Sequence, residues 1–367
     1  MRLSLTLSTY VGRQFLVYIL LVLGALLAIA LLADVMELAR RTSDKSVAVH
    51  VVVEMALLRI PTMAERLLPF GVLIGGIVAL TRLTRTYELA VMRAAGVSVW
   101  QFLLPGLALV LTIGVFSVMV LNTLSAVMTL RFEQLERRYI TGMSSMLSVS
   151  SSGLWLRQVE KDQDDISEYI IHAQQLNQGN MHLRGVTLFV FDAEHRFAKR
   201  MDAHTAYVDS GELRLQEVTV STPGESPIRM EDASIVTELD IAQIQDNFAS
   251  PRTLSFWELP GFIAMLEQAG FSAQRHKLHW HALLASPLLL CAMLLIAATF
   301  SLRLPRRGYV GFLIVAGIGT GFSVRFLTDI IHALGLSGNL PLLLSAWSPA
   351  TISLLLGGAL LLHLEDG

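Results

Sequence analysis

Residues 84–100 read TRTYELAVMRAAGVSVW, and they separate two apolar stretches, LLPFGVLIGGIVAL (67–80) and FLLPGLALVLTIGVFSVMVL (102–121). A bilayer crossing needs about 20 mostly apolar residues, and each flank reads as such a crossing. The stretch between them carries Arg85, Glu88 and Arg93. Its apolar residues fall at helical spacing, with Leu89, Met92, Gly96 and Val99 on one stripe. This is a short charged helix turned into water between two spans. Its stripe fits an apolar groove on a partner, with Glu88 and Arg93 fixing the register. A plain interfacial helix lying on the membrane is the alternative.

The composition agrees with a membrane protein. Of 367 residues, 53% are hydrophobic and 16% charged, against about 25% charged in a soluble domain. The net charge of −2 and the lack of a long basic run argue against nucleic-acid binding. The single cysteine, Cys291, excludes an intrachain disulfide and reads as a small buried apolar residue.

Six spans are expected: Phe15–Ala33, Pro61–Leu83, Phe102–Leu121, His281–Leu302, Tyr309–Leu336 and Pro341–Leu362. The second carries Glu65 and Arg66 near its start. Ala28-Ile29-Ala30 matches a leader-peptidase site, but it lies inside the first apolar run, so that run reads as a retained span. Between spans three and four the period changes to alternation. EYIIHAQQL (168–176), GVTLFVFD (185–192), HTAYVDSGELRLQEVTVST (204–222) and ASIVTELDI (233–241) are strand-like, separated by the turn signals DAEHR, DSGE and TPGESP. Short strands without intervening helices predict an antiparallel sandwich or jelly roll. A closing helix is predicted in TLSFWELPGFIAMLEQAG (253–270), with Ser255 and Glu258 as a capping box and Gly270 as a stop. The expected plan is an α-helical membrane protein with an inserted all-β domain: residues 1–122 hold helices one to three, 123–275 the β domain and its terminal helix, and 276–367 helices four to six.

Lysine and arginine in short loops set orientation. Arg2 and Arg13, then Arg82, Arg85 and Arg93, then Arg303, Arg306 and Arg307 mark one side, and the loop GLSGNLP (335–341) has none. The charged helix is therefore expected in the cytoplasm and the β domain in the periplasm. ELARRTSDK (37–45) breaks the pattern with Arg40, Arg41 and Lys45 on the outer side. Either these snorkel beside Glu37 and Asp44, or they form a cationic site for an anionic substrate.

No P-loop signature and no HExxH occur. GIGTG (317–321) lies in an apolar helix and reads as close helix packing. RHKLHWH (275–281) gathers His276, His279 and His281 without a third ligand at metal spacing, and reads as an interfacial cluster. Arg325 and Asp329, four apart in span five, are either a self-satisfied pair or part of a substrate path or subunit seam.

RTYELAVMRAAGVS (85–98) resembles the coupling-helix segment of the lipopolysaccharide-export permeases of the LptF/LptG family. SSGLWLRQ (151–158) resembles the entry to that family's periplasmic β-jelly roll, and FLTDII (326–331) a segment of its fifth span. LLPFGVLIGGIVAL resembles its second span. The similarity is strongest to the LptG branch. It implies a half-transporter of an ABC exporter in the bacterial inner membrane, with no cofactor of its own. ATP would be bound by a separate, LptB-like ATPase dimer. Further partners would be a homologous LptF-like permease, a single-span LptC-like protein and an LptA-like bridge. The substrate would be lipopolysaccharide. Tyr87, Glu88, Leu89, Met92 and Arg93 would couple to the ATPase. Arg40 and Arg41 match a basic pair for lipid A phosphates, with Lys45 beside them. A further basic position of the family is matched here by Asp34, which would temper the field or orient Arg41. Inward β-domain positions such as Leu188 and Val190 would line an apolar groove for acyl chains. An intramembrane enzyme or a ligand receptor is the rival reading.

Overall fold

The computed structural model describes residues 5–43, 47–141, 146–150, 153–161, 166–177, 182–192, 196–209, 212–236, 250–268, 271–302 and 310–366. The chain divides into two compact units: Met1–Ile140 with Arg252–Trp257 and Gln274–Gly367, and Thr141–Pro251 with Glu258–Ala273.

The first unit is a helix bundle. Its elements are α1 (Leu5–Thr42), α2 (Val49–Leu58), α3 (Ile60–Arg85), α4 (Glu88–Ala94), α5 (Val99–Phe116) and α6 (Asn122–Glu136). In the second unit lies α7 (Leu259–Gln268). The bundle then resumes with α8 (Gln274–Ser301), α9 (Val310–Leu336) and α10 (Leu342–Asp366). A π-helical turn at Ser117–Leu121 joins α5 to α6, so the third span belongs to one helix running to Ile140. At about 1.5 Å per residue α1 is roughly 57 Å long, well beyond the roughly 30 Å hydrocarbon core. Part of this helix therefore extends beyond the hydrocarbon layer. No proline or glycine interrupts residues 117–140, so the helix continues past residue 122, and the unit boundary falls at Ile140/Thr141.

Five of the described helices are long and apolar enough to cross a membrane: α1, α3, the α5–α6 helix, α8 and α10. The other expected crossing is α9, a helix of 27 residues whose second half carries Arg325, Asp329 and His332. In the apolar windows of α3 and α8, 67% and 61% of residues are buried, against 11% in α1. Helices α3 and α8 thus form the centre and pack on each other. Helices α1 and α9 also pack on α3, and α5 and α10 on α8. Phe15, Leu73, Ile77, Phe102, Leu103 and Leu294 fill the core.

Two glycines permit close backbone approach. A methyl group on Gly75 would stand 2.7 Å from Cα of Ile19, and one on Gly114 2.7 Å from Cα of Pro287. In GIGTG, Gly321 abuts Leu73 and Phe70 of α3, so this motif serves helix packing. Cys291 is buried.

The second unit carries a seven-stranded antiparallel sheet in which consecutive strands are neighbours: β1 (Met146–Ser150), β2 (Gly153–Lys161), β3 (Ile166–Asn177), β4 (His182–Phe191), β5 (Phe197–Asp209), β6 (Glu212–Ser221) and β7 (Ile228–Val236). The first three expected runs lie in β3 to β6, and the fourth begins in β7, its residues 237–241 lying outside the described residues. A crease crosses the sheet. Pairing skips Gly185, His204 and Glu217 while the register on either side is unchanged. Gly185 and Glu217 have positive φ, 60° and 54°. The buried positions shift phase there: Leu183 then Val186, Ala203 then Ala206, Leu215 then Val218. Without this three-residue step, simple alternation would turn one half's apolar residues outward.

The expected closing helix begins at Leu259. Phe262 N–H donates to the Glu258 carbonyl (3.0 Å), so Glu258 occupies the position before the helix and Ser255 lies outside the first turn. Pro260 explains this, since proline is favoured in a first helical turn.

Candidate functional site

Helix α4 is built by local signals. Thr86 ends α3, donating its N–H to the Arg82 carbonyl (2.9 Å). Tyr87 then adopts a left-handed conformation, φ 60°, which costs a non-glycine residue about 1–2 kcal/mol. The chain reverses and Glu88 opens the helix. At the other end Gly96 (φ 81°) takes the left-handed position. Its N–H donates to the Arg93 carbonyl (2.9 Å), and that of Val97 to the Met92 carbonyl (3.1 Å), closing the helix in a Schellman motif. Ser98 and Gln101 form the capping box of α5.

The seat of α4 differs from the expected one. Leu89 and Met92 are buried, and with Val99 they belong to the protein's own core beside Leu83 and Phe102. A seven-residue amphipathic helix places its apolar stripe on the nearest apolar surface, here the end of the bundle. Three of the four stripe residues, Leu89, Met92 and Val99, are therefore covered by the protein itself, and only Gly96 is exposed. Glu88 is half-buried and engaged: its carboxylate accepts from the hydroxyls of Tyr10 in α1 (3.0 Å) and Thr86 (2.9 Å). Tyr87, Val91 and Arg93 face outward, the first two 75% and 67% exposed. Val91 was not singled out in sequence. Its signal was the second, weaker apolar stripe of Tyr87, Ala90, Val91 and Ala94.

Arg40 and Arg41 occupy the last turn of α1, where positive charge also suits the helix dipole. One carboxylate holds both: Glu37 Oε2 accepts from Arg40 (2.8 Å) and Oε1 from Arg41 (2.7 Å). Arg41 also lies 3.8 Å from Glu136. Both guanidinium groups remain largely exposed. Lys45 lies outside the described residues. Asp34 does not orient Arg41 through a hydrogen bond. Its side chain is largely covered and pairs with Arg59, at the junction of α2 and α3. Arg59 in turn lies over the Phe132 ring, 5.1 Å from its centroid. This pair sits beside an apolar cluster of Leu38, Val52, Met55 and Phe132, joining α1, α2 and α6. Arg59 was legible only as a lone charge in LLRIP (57–61).

Arg325 and Asp329 form a two-contact pair at 2.8 and 3.1 Å, each about half exposed. Leu188 and Val190 both lie on the buried face of β4, so contact with a lipid there requires that interior to open. His276 is buried near the start of α8. Among the described residues no group of three histidine, cysteine or carboxylate side chains is arranged to hold a metal.

Broad apolar faces remain uncovered on the helices flanking α3: Leu20, Leu21, Ile29 and Leu32 on α1, and Phe312, Phe322, Phe326 and Ile330 on α9. Such area is stable only against lipid or another apolar surface.

Residues 9–363 match the family model of the lipopolysaccharide export system permease LptF/LptG. The lipopolysaccharide export system permease protein LptG of Haemophilus influenzae is 23% identical over 352 residues, 95% of each chain. The protein of the same name in Escherichia coli K12 is 23% identical over 354 residues, 94% of each chain.

Proposed function

The chain belongs to the LptF/LptG family of lipopolysaccharide export permeases, and from that premise we propose that it is the LptG-type subunit of an ABC exporter in the bacterial inner membrane. It pairs with an LptF-like permease, takes its energy from a separate LptB-like ATPase dimer that binds ATP, and passes lipopolysaccharide to LptC-like and LptA-like proteins of a periplasmic bridge. The β domain lies in the periplasm and α4 in the cytoplasm.

The observation that carries this reading is the seat of α4. A helix anchored inward through Leu89 and Met92, tied to α1 through Glu88 and Tyr10, and exposing Tyr87, Val91 and Arg93 transmits force. A partner that pushes on the outer face moves α3, α5 and the foot of α1 together, because all three meet at this seat. The exposed faces of α1 and α9 supply the walls of a cavity shared with the second permease, and ATP-driven closure narrows that cavity. The lipid enters beside Arg40 and Arg41, where its phosphates compete with Glu37 for the guanidinium groups. Its acyl chains move on to the interior that holds Leu188 and Val190. No covalent step is needed in this chain.

The experiment is affinity purification of the tagged full chain from its native membrane. Co-purification of a P-loop ATPase, lost when Val91 is replaced by Asp, supports the reading. A chain that purifies without any ATPase overturns it.

A further inference from the structure

A cavity of about 170 Å³ lies within one chain, among α3, α8, α9 and α10. The sequence explains why it exists. Ala282, Ala285, Ser286, Gly321, Ala346 and Ala350 put small side chains on its walls. Three of the four wall helices carry an internal proline: Pro69, Pro287 and Pro349. Each ring removes a helical N–H and crowds the carbonyl four residues earlier, so these helices bend rather than close on one another. An engineered cavity of about 150 Å³ admits benzene, so this slightly larger one, open on one side, takes a small polar group of comparable bulk. That is too small for several acyl chains and suited to one polar head.

Two ionisable groups of opposite type face this space, and neither has a salt-bridge partner among the described residues. Arg66 lines it and forms no ion pair among the described residues, while Arg59, Arg252 and Arg325 act on it as like charges. Arg59 and Arg325 are already matched, by Asp34 and Asp329. Glu65, the next residue along α3, also lines the cavity, and its Oε1 is buried with no hydrogen-bond partner among the described residues. Asn122 and Ser125 are the hydrogen-bonding neighbours of the Glu65 carboxyl group, and Arg66 attracts it through space, which leaves Oε1 as the oxygen open to a donor. Ionisable groups placed inside a membrane bundle ordinarily face a partner or a cavity. What the cavity offers a ligand is one guanidinium without a salt bridge and one carboxyl oxygen without a hydrogen bond.

We propose that this cavity binds the head group of a phospholipid carrying a phosphate and a primary ammonium, a phosphoethanolamine head. The phosphate engages Arg66, whose planar fork suits two phosphate oxygens. The ammonium donates to Glu65 Oε1, and its compact shape and three N–H groups suit a narrow polar recess. The acyl chains pass Arg325, which lines the cavity and is half exposed, and lie on the apolar face of α9, along the exposed Phe322 and Phe326. A choline head lacks the N–H donors, and a glycerol head lacks the positive charge. This site is separate from Arg40 and Arg41, and it holds a resident lipid whether or not the transport reading stands.

The test uses the purified full chain in nanodiscs free of lipopolysaccharide. Three photoactivatable phospholipids with the same diazirine-bearing acyl chain and ethanolamine, choline or glycerol heads are compared, and adducts on α3 and α9 are mapped by mass spectrometry. The ethanolamine lipid is expected to label at least threefold more than the other two. Glu65→Gln should lower it to the level of the glycerol lipid. Arg66→Gln should lower labelling by all three, and so should Ala285→Leu, which fills the cavity; an unchanged gel-filtration profile certifies folding. The wild-type comparison stands even if a variant fails to fold. Equal labelling by the three lipids, or an ethanolamine preference that survives both Glu65→Gln and Arg66→Gln, overturns the assignment. Displacement of the ethanolamine lipid by equimolar lipopolysaccharide also overturns it, because the occupant is then the exported glycolipid.

Discussion

Replacing Leu89 by Ala and Val91 by Asp separates the two faces of α4. Leu89 is 6% exposed within the bundle core. Fully buried Leu→Ala changes cost about 2.7–5 kcal/mol, the lower end where the surroundings can relax. Helix α4 has seven residues and lies at the end of the bundle, so about 2.5 kcal/mol is expected. At about 1.4 kcal/mol per tenfold, that is a loss of roughly 60-fold in the ratio of seated to unseated helix. Val91 is 67% exposed, and a surface change of this kind usually costs under about 0.5 kcal/mol. Thermal unfolding of the purified chain should therefore show a fall of several degrees for Leu89→Ala and almost none for Val91→Asp. ATPase capture should show the reverse order at a temperature where both are folded. If Leu89→Ala leaves the melting temperature unchanged, or Val91→Asp lowers it equally, then the assignment of inner and outer faces is wrong.

Arg59→Ala leaves Asp34 largely covered and without its cation and should cost about 3 kcal/mol, whereas Asp34→Leu with Arg59→Met should recover most of that loss in the same thermal assay. Gly75→Leu forces side-chain atoms onto the Ile19 backbone and should destabilise by about 3 kcal/mol or more, while Gly319→Ala, which meets nothing within 4 Å, should be near neutral; yield and gel-filtration profile report both. Arg40→Glu with Arg41→Glu should reduce photo-crosslinking of lipopolysaccharide to α1, and Glu37→Gln, which frees both guanidinium groups, should raise it.

Much of this architecture could be read from residue pattern. Apolar runs located the membrane helices, and turn signals such as TPGESP separated the strands, because both depend on local periodicity. The seat of α4 was less legible. Its sequence shows an amphipathic helix, but amphipathicity states only that one face is covered, not whether the protein or a partner covers it. Asp34 was visible and Arg59 was not joined to it, since the pair spans 25 residues and two helices. The crease in the sheet had one local sign, Gly185; its other half rests on Glu217 in a conformation that no pattern for glutamate predicts. The length of the third helix was also underread, because residues 122–140 lose hydropathy without losing helical character.

In the proposed function this chain converts hydrolysis by a separate ATPase into extraction of lipopolysaccharide. The direct measurement is release of lipopolysaccharide from proteoliposomes containing the chain with the proteins that co-purify with it, supplied with an acceptor bridge protein. Release should require ATP, fall several-fold with Val91→Asp and fall again with Arg40→Glu and Arg41→Glu. Release at the same rate without ATP, or in the absence of this chain, would contradict it.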